Sequence, residues 1–171
     1  VLPDYKQPEY VRNKNEFPNT IDDNLVAFLG WRRAYSGPIM VFEYHMWRHQ
    51  YLDVGNIALA KVMYDDVRGY LSHGFMGIDE NCSERSFFPT GFHFYVYGEM
   101  LYDPSRTYEE LEEEYFSCAF GEDWKKVVKY LDTISDMSDF LFLAGHNSSD
   151  PERDGHYNPA LAPAFEKIPA V

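Results

Sequence analysis

Residues 70–81, YLSHGFMGIDEN, decide how the rest of the chain is read. They begin as the end of a helical pattern, pass through Gly74, run apolar from Phe75 to Ile78 and stop abruptly on Asp79, Glu80 and Asn81. Upstream, Gly55-Asn56 opens a segment in which Ile57, Leu59, Ala60, Met63, Val67, Tyr70 and Leu71 recur at helical spacing. Asn56 is placed as its N-cap, and Gly74 as its left-handed closing residue. Before that helix, Ile39-Met-Val-Phe-Glu-Tyr44 is a continuous apolar run closed by polar residues, the pattern of a strand buried on both faces. Residues 38–80 therefore read strand, helix, strand: a βαβ unit with parallel strands and a right-handed crossover.

Helices flank this unit on both sides. From Asp22 or Asp23, the positions Leu25, Val26, Phe28, Leu29 and Trp31 suggest a helix that Gly37-Pro38 stops. Beyond Pro89, an aromatic-rich helix carries Phe92, Tyr95, Val96, Met100 and Leu101 and ends near Asp103-Pro104. Thr107-Tyr-Glu-Glu110 is a capping box that starts the next helix, with Leu111, Tyr115, Phe116 and Ala119 as its buried stripe and Gly121 as its end. A further helix holds Trp124, Val127, Val128, Leu131, Ile134, Phe140 and Leu141 and runs to about Gly145. Residues 1–20, with three prolines, read as an irregular lead-in, and residues 146–171 as a loop-rich tail. The stretch 21–145 is thus the folded body: helix-rich α/β.

The totals bound what such a body can do. With 171 residues, 45% of them hydrophobic and 18% aromatic, there is enough for one core. Lys and Arg total 15 against 28 Asp and Glu, a net charge of -13, so nucleic acid and anionic membranes are poor partners. No apolar run approaches the ~20 residues of a membrane span. Cys82 and Cys118 match neither a zinc spacing nor a disulfide framework and read as two unpaired thiols. The chain begins at Val1, and the compartment stays open.

Two parallel strands alone leave both sheet edges open, an arrangement small proteins hardly ever use. The missing strands lie either unrecognised among the first 20 residues or upstream of Val1, and the expectation is the second. The body is then the later portion of a (β/α)8 barrel, and the rest of that barrel is its first partner.

In barrels and open α/β sheets, ligands bind at the carboxyl ends of the strands. Those ends hold Glu43, Tyr44 and His45 on one strand and Asp79, Glu80 and Asn81 on the other. Strands lie ~5 Å apart when adjacent and ~10 Å apart when one intervenes. That range covers the carboxyl separations of both retaining (~5 Å) and inverting (~6.5–9.5 Å) glycoside hydrolysis. Such chemistry needs one carboxyl kept protonated and another ionised. Glu43, between Phe42 and Tyr44, has the apolar neighbourhood that raises a carboxyl pKa. Asp79 and Glu80 point to opposite faces of their strand, so at most one faces a barrel mouth. The catalytic candidates are Glu43, Asp79 and Glu80, and the substrate-binding candidates are Tyr44, His45, Trp47 and Asn81. Trp31, Tyr51, Phe87 and Phe88 add rings suited to sugar stacking, with core packing as the competing explanation that claims most of them individually. The competing reading has the acids capping loop amides or pairing with Arg48, Arg85 or Lys61.

No metal or cofactor is expected. His45 and His49 have helical-zinc spacing, but HMWRH lacks the metalloprotease Glu. Asp150-Pro-Glu-Arg-Asp-Gly155 opens like a calcium loop, yet its twelfth position is Leu161 where a Glu is required. There is no Gly-rich phosphate loop, serine elbow or reactive-cysteine signature.

The order of LVAFLGW31, IMVFEYHMW, YLSHGFMGI and MLYDPSRTYEELEEEYFSCAFG resembles the C-terminal part of a glycoside-hydrolase-like domain of unknown function. That domain occurs in many bacterial carbohydrate-active proteins and is related to family 20-type (β/α)8-barrel glycosidases. The resemblance spans about residues 20–140 and implies a carbohydrate ligand and early barrel strands outside this chain. In family 20 enzymes the adjacent Asp-Glu pair sits on a middle strand, whereas Asp79-Glu80 belongs to a later one, so that role is not carried over. Two functions follow as expectations: a glycoside-hydrolase-like protein using strand-end carboxylates, or a non-catalytic carbohydrate-binding or structural helical domain of a larger polysaccharide-processing protein.

Overall fold

A computed structural model describes residues 21–46, 53–81, 89–137 and 166. In chain order its elements are α1 (Ile21–Ala34), β1 (Met40–Glu43), α2 (Ile57–Ser72), β2 (Gly77–Glu80), α3 (Phe92–Tyr102), α4 (Tyr108–Phe120), a 3-10 turn (Gly121–Asp123) and α5 (Trp124–Met137). The fold is a helix-rich α/β arrangement in which β1 and β2 pair in parallel, with Met40 opposite Gly77 and Glu43 opposite Glu80. The lead-in, the tail, and the helical extension through Phe140 and Leu141 lie outside the described residues.

The turn from α2 into β2 is built as the sequence pattern implies. Gly74 has φ 79°, a left-handed conformation that costs glycine little. Its N–H bonds the Leu71 carbonyl, and the Phe75 N–H reaches back to the Tyr70 carbonyl at 3.0 Å, which together make a Schellman motif. The hydrophobic contact that accompanies this motif is Phe75 against Tyr70, with ring centroids 5.7 Å apart. Phe75 also stacks on Phe28 of α1 at 3.9 Å. Because that N–H is consumed by the helix cap, β2 begins at Gly77, two residues later than the apolar run suggests.

The other end of α2 departs from expectation. Asn56 adopts the left-handed conformation, φ 59°, and makes no side-chain cap bond. Asp53 caps instead, its Oδ2 accepting from the Leu59 N–H at 2.7 Å. The left-handed turn at Asn56 lets the chain loop back so that a carboxylate six residues upstream reaches the helix start. Gly55 lies against the Leu131 carbonyl and Ser135 of α5, leaving no room for a side chain. Ser135 Oγ accepts from the Ile57 N–H at 3.3 Å, tying α5 to the beginning of α2.

The helices form the core. Leu59, Met63 and Val67 of α2 meet Phe92, Val96 and Met100 of α3, with Leu111 and Phe116 of α4 and Leu131 of α5 beyond them. The capping box of α4 is complete: the Glu110 N–H donates to Thr107 Oγ1 at 3.2 Å, and the Thr107 N–H donates to Glu110 Oε2 at 2.8 Å. Within the expected α4 stripe Leu111 and Phe116 are buried, Tyr115 is half-buried and Ala119 is exposed.

The sheet corrects the reading of β1 as buried on both faces. Met40 and Phe42 are 63% and 54% exposed, while Val41 and Glu43 are half-buried. Residues 41, 43, 78 and 80 share the face turned to α2, and residues 40, 42, 77 and 79 share the open face. Ile78 packs on the helical core from the covered face. No helix among the described residues is long and apolar enough to cross a membrane.

Candidate functional site

Glu43 and Glu80 are the last residues of their strands and stand opposite one another in register, so both side chains leave the same face at the carboxyl end of the sheet. Two residues beyond Glu43, the turn places His45 beneath them, 3% exposed. His45 Nδ1 lies 2.9 Å from Glu80 Oε2, and Nε2 lies 2.7 Å from Asp66 Oδ2 on α2. With both carboxylates ionised, a histidine that has an oxygen at each nitrogen satisfies both partners only as imidazolium, which donates twice. Glu80 Oε1 also accepts from the Met46 N–H at 3.1 Å, so both its oxygens act as acceptors. The Asp66–His45–Glu80 chain thus bolts α2 to the strand ends.

Electrostatics follow from this packing. Burial opposes a charge on His45, but the hydrogen bonds to Asp66 and Glu80, with the nearby charge of Glu43, outweigh it and push the imidazole up to about 10. Asp66 is raised by burial, against the pull of His45. Glu43 is raised to about 7, chiefly by burial; His45 opposes this, and the negative charges of Asp66 and Glu80 add to it. A carboxyl titrating near neutrality can both give and take a proton at neutral pH.

The structure brings three of the expected site residues together and separates others. Glu43, His45 and Glu80 form one cluster. Asp79 is exposed on the opposite face. Tyr44 is 41% exposed, and its ring meets Phe42 edge to face at 5.0 Å. Asn81 is exposed, and its N–H donates to the Glu43 carbonyl at 2.9 Å, extending the ladder by one bond. Trp47 lies outside the described residues, as do Arg48, His49, Tyr51, Cys82, Arg85, Phe87, Phe88 and the 150–161 segment. Trp31 is 72% exposed on α1. Lys61 pairs with Asp65 at 3.2 Å rather than with a strand-end acid. The loop-amide role expected of a strand-end acid is met in part, by Glu80 at Met46.

Asp66 is the member that sequence reasoning missed. Its signal was present: it follows Met63 by three residues and precedes Tyr70 by four, so it occupies a core position of α2, where an ionisable residue needs a partner. Among the described residues no group of three or more His, Cys, Asp or Glu side chains is arranged to hold a metal ion. Cys118 is a free, exposed thiol on α4. No family model, curated protein or solved structure matches this chain.

Proposed function

We propose that the protein is carbohydrate-active and glycoside-hydrolase-like, with the described sheet forming part of a (β/α)8-type barrel and Glu43 exchanging the proton at the glycosidic oxygen. The observation that carries this reading is Glu43 itself, at the carboxyl end of a parallel strand and held by burial at about 7. His45 and Asp66 act as positioning residues, fixing Glu80 and keeping a positive charge beside Glu43. Glu80, in register with Glu43 on the same face, is the second carboxylate, while Asp79 lies on the opposite face, away from Glu43.

Turnover of a panel of aryl glycosides tests this. Loss of a general acid lowers the rate by about 10²–10⁴, so Glu43→Gln falls by that much and Glu80→Gln falls with it. Unchanged turnover in Glu43→Gln and Glu80→Gln removes the assigned acids.

A second reading, non-catalytic carbohydrate recognition, is favoured by one feature. His45 and Glu80 are shielded and saturated by one another, as a structural brace would be. Oligosaccharide binding without hydrolysis of any aryl glycoside decides for it.

A further inference from the structure

We propose that the two strand-end carboxyls work as a retaining pair: Glu80 is the nucleophile that takes up the sugar, and Glu43 is the acid and base beside it. This assignment rests on the hydrolase reading above, under which retention and inversion are both open.

The register of the sheet decides between them. Glu43 pairs with Glu80 across the parallel ladder with no strand intervening, and both side chains leave the face turned to α2. Adjacent strands lie about 4.8 Å apart, so side chains of equal length rising from paired positions hold their carboxyls about 5 Å apart. Retaining glycosidases keep their two carboxyls at about 5–5.5 Å, whereas inverting ones need about 6.5–9.5 Å to seat a water beside the sugar. A pair in direct register leaves no room for that water.

The surroundings of the two carboxyls divide the roles. Glu80 accepts from His45 Nδ1 at 2.9 Å and from the Met46 N–H at 3.1 Å, one bond to each oxygen, which fixes its plane beside an imidazolium. A carboxylate has about four lone-pair sites, so each oxygen keeps another for the anomeric carbon. Within the buried chain, the Glu80 side chain is 7% exposed against 3% for His45 and Asp66, which makes it the member most open to a ligand. Glu43, raised to about 7 by burial and by the negative charges of Asp66 and Glu80, against the pull of His45, holds the proton. In the first step a Glu80 oxygen bonds to the anomeric carbon as the glycosidic C–O bond breaks, and the leaving oxygen takes the Glu43 proton. In the second, water gives a proton to the Glu43 carboxylate while its oxygen displaces Glu80 from the same carbon. Both side chains return to their starting states, and two inversions leave the configuration unchanged.

Proton NMR of the sugar first released from an aryl glycoside reads the configuration. A 2-deoxy-2-fluoro glycoside with a dinitrophenolate leaving group traps the intermediate on the unaltered chain, so this measurement needs no variant to fold. The expected results are the retained anomer and a peptide labelled at Glu80. Azide restores turnover to Glu80→Ala and gives a glycosyl azide of inverted configuration, while Glu43→Ala with azide gives the retained one. Inversion of the released sugar, or retention with Glu80 unlabelled, overturns the pair while the hydrolase reading stands. If no aryl glycoside is turned over, the hydrolase reading falls and the pair falls with it.

Discussion

The two faces of the small sheet are made by alternate residues of the same eight, yet they have opposite characters. On the covered face Ile78 packs on the helical core, Glu80 hydrogen-bonds the buried His45–Asp66 pair, and Glu43 stands in register beside Glu80. On the open face Met40, Phe42 and Asp79 remain in water. Asp79 and Glu80 are chemically near-identical neighbours in sequence. Their fates differ because the strand period of two sends one toward α2 and the other away from it. The same contrast separates environments: the covered face fixes charge and raises the Glu43 carboxyl, while the open face leaves Asp79 in water.

The sharpest way to break this comparison is to remove the centre of the covered network. His45→Ala leaves Asp66 and Glu80 buried without their shared cation. Breaking such a pair from one side costs about 3–5 kcal/mol, to be read from urea unfolding. A loss no larger than that of an exposed-residue change would mean that the network is solvated, and the two faces would then be alike.

The pH dependence of stability carries the same contrast at a smaller scale. His45 titrates at about 10 in the folded chain, above its ordinary 6.5, so its stabilisation is complete below about 6.5 and is lost as pH rises toward 10. Glu43 titrates at about 7, above its ordinary 4.5, so its contribution is complete below 4.5 and is lost as pH rises toward 7. Both groups make the protein less stable as pH increases, each within its own window. Denaturant titrations at pH 5, 7 and 9 check this. Glu43→Gln flattens the step between pH 5 and 7 and spares the step above it. An unchanged lower step would place Glu43 in water.

Much of this arrangement is legible in the residues, and what is hidden has a physical reason. Gly74 and Thr107-Glu110 announce the ends of α2 and the start of α4 because their signals are local: one left-handed residue, and one pair of reciprocal bonds three residues apart. The parallel pairing follows from a helix lying between two apolar runs. The open face of β1 was not legible, because an apolar run alone does not say whether anything covers it. Asn56 looked like a cap by residue type, but the left-handed turn handed that task to Asp53. The partnership of His45 with Asp66 spans 21 residues and depends on how α2 packs over the strands, which no spacing rule reports.

The smallest effect tests the alternation directly. Asp79→Asn and Glu80→Gln are the same change, carboxylate to amide of equal size, at adjacent positions. On the open face Asp79→Asn removes a charge already in water and shifts stability by no more than about 0.5 kcal/mol. On the covered face Glu80→Gln replaces an acceptor of the buried imidazolium with a group that turns an amide N–H₂ or a weaker carbonyl toward it. A hydrogen bond to a charged group contributes about 1.5–3 kcal/mol, and the loss should fall in that range. Because size, backbone and helix propensity barely enter, the difference between the two variants measures which face each side chain occupies. Equal costs at both positions would mean that Asp79 and Glu80 do not diverge, and a larger cost at Asp79 would exchange the faces.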